Sequence, residues 1–141
     1  MVAHEQELDE TDNMEGWTPH ICWNYLRQPD RRHVLLQANW IRPEDLRHYA
    51  GLFRTVKLAT RMHAKPRLVI QAYASGRYDG NLPNLFEPGF ARALAPAMLD
   101  NRRFPADWFE RTSTCGHRCH QCDYCRRVFQ AILVLPPADA L

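Results

Sequence analysis

Four of the chain's five cysteines, Cys115, Cys119, Cys122 and Cys125, fall within eleven residues, with three, two and two residues between them. The fifth is Cys22. A chain of 141 residues has one domain's length. It begins MVAHEQELDE, with neither a basic flank nor an apolar segment, so a secretory signal is not expected. No apolar run approaches the roughly 18 residues of a membrane span. A cytoplasmic location follows as the expectation, and there a cysteine cluster reads as metal-binding rather than as a disulfide frame.

Two metal chemistries compete for that cluster. Four thiolates can hold zinc tetrahedrally, but structural zinc sites usually draw two ligand pairs from segments a dozen or more residues apart. Eleven residues leave little backbone to wrap one small ion, although His117, His120 or Cys22 could replace a cysteine. An iron–sulfur cluster is a larger object, and its ferredoxin-type ligands recur at two-residue gaps, as Cys119, Cys122 and Cys125 do. The fourth ligand is then Cys115 or Cys22. A 4Fe–4S cluster is the favoured cofactor and zinc the alternative. Cys115-x3-Cys119-x2-Cys122 also has the spacing found in radical-SAM enzymes, but here it follows the predicted strands instead of opening the fold.

Charge divides the chain. Residues 1–15 hold six acids and no Lys or Arg, leaving 18 basic against 10 acidic residues beyond them, a net +8. Residues 1–16 therefore read as a disordered acidic tail. Sixteen of the 18 basic residues are arginine, the side chain suited to bidentate carboxylate and phosphate contacts.

Between the tail and the cysteines, residues 17–113 read as a partial βα domain. Trp17–Arg32 is expected as an irregular packed loop. His33–Ala38 and Thr55–Ala59 read as short buried strands. Helices are expected from about Pro43 to Ala50 and from Lys65-Pro66 to Gly76, each with proline in the first turn and glycine past the end. Tyr78-Asp79-Gly80-Asn81 has turn chemistry. Short helices follow at Phe90–Leu94 and after Pro105. Residues 114–135 hold the metal-binding cluster and a terminal helix, Arg126–Leu135.

Alternating strands and helices imply an α/β fold with a parallel sheet. Two strands cannot make a sheet that is covered on both faces. The expected fold class is thus a partial parallel (βα) barrel-like sheet with a helical, Cys-rich C-terminal segment, completed by a partner chain or by a homo-oligomer.

Several stretches carry a family resemblance. They are Asn39-Trp-Ile-Arg-Pro-Glu-Asp-Leu46, Val56–Arg61, Ala72-Tyr73, Tyr78-Asp79-Gly80-Asn81-Leu82, Asp100-Asn101-Arg102, Phe104-Pro105 and the run from Cys119 to Cys125. Together, from about Cys22 to Val134, they resemble the C-terminal part of bacterial TIM-barrel proteins related to the collagenase-like peptidases. Members of that wider family take part in ubiquinone and RNA hydroxylation, and many bind a 4Fe–4S cluster. The resemblance implies the end of a split barrel, or a stand-alone remnant, carrying such a cluster.

Beyond the cysteines, three basic residues are candidates for substrate or partner contact. Arg42 follows a predicted strand, at the barrel edge where active sites form. Lys57 and Arg61 surround the end of the second predicted strand. Glu44 and Asp45 are explained by a favourable first helical turn. No complete catalytic constellation is visible. The leading expectation is an iron–sulfur subunit of a barrel-type enzyme. The alternative is a zinc module that contacts nucleic acid or another protein.

Overall fold

The computed structural model describes residues 21–60, 63–86 and 91–136, without the side chains of residues 21–23, 92 and 93. The acidic tail, Arg61 and the side chain of Cys22 lie outside the described residues. In chain order, α1 is Ile21–Arg27, α2 Pro66–Ser75, α3 Ala91–Leu94, α4 Trp108–Ser113 and α5 Tyr124–Ile132. Strands β1 (Met98–Leu99) and β2 (Leu133–Val134) accompany them, and 3-10 helices span Arg32–Gln37, Pro43–Tyr49, Leu82–Leu85 and Asn101–Arg103.

The two segments read as buried strands take other conformations. His33–Ala38 lies largely within the 3-10 helix Arg32–Gln37, where Leu35 and Leu36 are both buried. A strand would send these neighbours to opposite faces. The tight turn directs both into one core, and leucine favours helical backbone over extended backbone. Thr55–Ala59 has no regular structure and pairs with no strand among the described residues, leaving Val56 46% exposed. Within the segment expected as an irregular loop, Ile21–Arg27 is helical, free of glycine and proline, and ends just before Pro29.

Among the described residues the sheet is a two-stranded antiparallel pair, with Met98 opposite Val134 and Leu99 opposite Leu133. It closes the fold end to end, because β2 continues directly from α5. The Asp100 amide donates to the carbonyl of Ile132 at 2.9 Å.

Local chemistry explains the helices that the sequence made visible. Proline starts α2, and Gly76 ends it with φ of +64°. The Gly76 and Arg77 amides donate to the carbonyls of Tyr73 and Ala72, satisfying the last free acceptors of the helix. In α5, Val128, Phe129 and Ile132 are buried, while Arg126, Arg127 and Gln130 face water. That stripe packs on Arg32–Gln37. Leu26, Leu35, Leu36, Val69, Leu82, Leu94, Leu99 and Trp108 join it in one core. Among the described residues no helix is long and apolar enough to cross a membrane.

Candidate metal centre

The cysteine loop is suspended between α4 and α5. A Thr-Ser-Thr run ends α4: the hydroxyl of Thr112 donates to the carbonyl of Trp108 (2.8 Å), and those of Ser113 and Thr114 donate to Glu110 (3.2 and 2.9 Å). Such side-chain bonds compete with helix continuation. At the other end Tyr124 opens α5. Its ring stacks on Trp108 at 6.0 Å, its hydroxyl donates to Asp107 Oδ1 at 3.0 Å, and the Arg111 guanidinium lies 4.6 Å above it. The stack therefore ties the first residue of α4 to the first residue of α5, on either side of the loop.

Within the loop, His117 takes a left-handed φ of +53°. The turn directs its amide toward sulfur, donating to Cys115 Sγ at 3.4 Å. Amide-to-sulfur bonds of this kind stabilise thiolate and tune the potential of iron–sulfur centres. Cys115, Cys119 and Cys122 are exposed and Cys125 is half-buried. Burial pushes the Cys125 thiol up to about 11, with Cys119, Cys115 and Cys122 adding to the shift. Uncoordinated, Cys125 is a neutral thiol at physiological pH, so metal binding there releases a proton.

Cys115, Cys119 and Cys125 line one cavity of about 360 Å3, shared with Trp40, Asp45 and Trp108. The donor set fits a thiolate-bound centre in chemistry and in neighbourhood. The sulfurs are gathered but not converged: among the described residues no three His, Cys, Asp or Glu side chains stand close enough together to hold an ion.

The other candidate residues are dispersed. Arg42 is 8% exposed. Its Nε donates to Asn101 Oδ1 at 2.9 Å and its Nη2 to the Asn101 carbonyl at 3.2 Å. Glu44 lies 3.2 Å from Nη2, and the guanidinium sits 4.3 Å over the Phe104 ring. Arg42 thus ties the Pro43–Tyr49 turn to Asn101–Arg103, with its guanidinium committed inside the protein. Glu44, expected only to favour its helix's first turn, also accepts from the Tyr78 amide and from Asn101 Nδ2, each at 2.8 Å.

Lys57 is exposed beside a second cavity, of about 450 Å3, that Trp40, Val56, Tyr73 and Phe86 also line. Nearby, His63 accepts from the Lys65 amide at Nδ1 (3.0 Å) and so holds its proton on Nε2, 2.8 Å from the Asn84 carbonyl.

Sequence reasoning singled out Arg42 but assigned no partner to it. Asn101 was visible only as part of a family-like Asp-Asn-Arg stretch, and nothing local marks a pair 59 residues apart.

No family model and no solved structure matches the chain. Over 106 residues, 73% of the chain, it is 32% identical to an uncharacterized protease of Methanocaldococcus jannaschii. That alignment covers 31% of the relative, so the chain spans less than a third of the length of the curated protein that it resembles.

Proposed function

We propose that this chain is the iron–sulfur-binding part of a barrel-type enzyme. Cys115, Cys119, Cys122 and Cys125 hold a 4Fe–4S cluster, and the missing strands come from a partner chain or another copy. The observation that carries the reading is the gathering of four thiols on one short loop between two helices whose first residues, Trp108 and Tyr124, stack on each other. The irregular, unpaired segment Thr55–Ala59 and the partial overlap with a longer relative support the second half of the reading.

A bound 4Fe–4S cluster supplies one-electron transfer or a Lewis-acidic iron. The protein's own contribution is positional. The Trp108–Tyr124 stack fixes the span of the loop, and the His117 amide steadies Cys115. Half-buried Cys125 would hold the group from a position partly closed to water. For a proteolytic step a nucleophile must lie within reach of a base. Among the described residues no hydroxyl or thiol is hydrogen-bonded to an imidazole or amine side chain, so no such step is assigned to this part of the protein.

The test is anaerobic purification followed by absorbance and by iron, sulfide and zinc analysis. Thiolate-to-iron bands with equal iron and acid-labile sulfide are expected. Stoichiometric zinc without sulfide overturns the proposal in favour of the zinc module. A steep loss of affinity with rising salt then identifies nucleic acid as its partner.

A further inference from the structure

The cavity beside the cysteine loop has a second chemical character, set by Asp45. This residue lines the cavity and is 8% exposed. Among the described residues no N–H or O–H group donates to its carboxylate. The nearest cation, Arg42 Nη1, lies 3.9 Å from Oδ1, beyond hydrogen-bond reach. Arg42 already serves Asn101 and Glu44. One guanidinium thus faces two carboxylates, and of these Asp45 is the one that lines the cavity.

A buried carboxylate without a donor is costly. Burial holds the Asp45 carboxyl above the usual range, only partly offset by Arg42. Of the other charged or titratable groups on this turn, Arg47 and His48 are exposed and Glu44 and Tyr49 are half-buried.

The same cavity is also lined by aromatic residues. Tyr49 and Phe109 meet edge to face at 5.7 Å and 86°, forming a corner. His48 stacks on Phe109 at 3.9 Å, and Trp40 stacks on Trp108 at 6.1 Å across the same cavity. A carboxylate beside ring faces selects a cation with an apolar body, since the rings attract positive charge and the carboxylate needs a donor.

We propose that this cavity binds an organic ammonium group, with its N–H donating to Asp45 and its carbon body against Tyr49 and Phe109. The recognition elements come from Pro43–Tyr49 and α4, not from the cysteine loop. Cys115, Cys119 and Cys125 border the same cavity, so the inference is tested both before and after iron–sulfide reconstitution, which keeps its failure apart from that of the cluster assignment.

The test uses the full chain, as purified and after iron–sulfide reconstitution. Phenethylammonium and its neutral counterpart phenethyl alcohol are titrated while the backbone amides of Asn39 and Ser113 and the indole N–H groups of Trp40 and Trp108 are followed by NMR. The ammonium is expected to bind about tenfold more tightly than the alcohol. Asp45→Asn is expected to remove that preference and leave alcohol binding unchanged. Phe109→Leu, outside the buried core, is expected to weaken the ammonium more than the alcohol, and decides the matter if Asp45→Asn does not fold. Equal affinities, shifts confined to other residues, or a preference that survives in a folded variant overturn the proposal.

Discussion

Arg42 and Asn101 hold each other in the interior, with Nε donating to Oδ1 at 2.9 Å across 59 residues of sequence. Asn101 is almost fully buried and also donates from Nδ2 to the Tyr78 carbonyl at 2.7 Å and to Glu44 at 2.8 Å. Three separate segments meet in this pair.

Removing one side of the pair exposes the cost of the other. Arg42→Met leaves buried Asp45 and half-buried Glu44 without their cation, with an expected loss of about 3–5 kcal/mol. Asn101→Ala removes a neutral partner and strands donors and acceptors, at roughly 1–3 kcal/mol. Urea denaturation of both variants checks the order; equal losses would show that the guanidinium is not the charge these acids depend on.

Gly76→Ala isolates a backbone cost. The nearest atom to an added Cβ is the Pro43 carbonyl oxygen at 3.9 Å, so no clash arises. With φ at +64°, the left-handed penalty alone is expected, about 1–2 kcal/mol. A thermal melt unchanged from the parent protein would contradict the helix ending described for α2.

His33 links stability to mild acid. Burial lowers its pKa below the ordinary 6.5, and the Arg126 charge lowers it further. The unfolded chain therefore binds the proton more tightly. Stability is fully present above about pH 6.5 and falls as pH drops through the folded value. Arg126→Gln should move the His33 NMR titration upward and narrow that window. An unmoved titration would place Arg126 away from the ring.

Metal uptake should converge the cysteine loop and raise the melting temperature, because only the folded chain presents the gathered thiols. Cys115→Ser, Cys119→Ser, Cys122→Ser and Cys125→Ser should each lose iron and that thermal gain, while Cys22→Ser retains both. Iron loss from Cys22→Ser with retention in Cys115→Ser would reverse the choice of fourth ligand.

The sequence was legible where local chemistry decides the backbone. Pro66 and Gly76 bracket α2 as expected, and Pro43 begins the turn that ends at Tyr49. The terminal helix starts two residues before its expected position and ends at Ile132, where the chain turns extended to pair with β1. Tertiary partners decided the rest. Leu35 and Leu36 look like strand residues until α5 supplies a surface that receives both. Thr55–Ala59 has the apolar composition of a strand, yet no neighbouring strand among the described residues pairs with it. The cysteine spacing marked the loop unaided, whereas the depth of Asp45 depends on Arg42, Tyr49 and Phe109 coming together in space.

Trp40 lines both cavities, held by its Nε1 donating to the Leu35 carbonyl at 2.9 Å. With Ala38, Asn39 and Ile41 it is common to a chamber that borders the thiols and one that borders the irregular, unpaired backbone of Val56–Ala59. The short run Ala38–Ile41 therefore forms a common wall, and a change of its backbone on one side reaches the lining of the other.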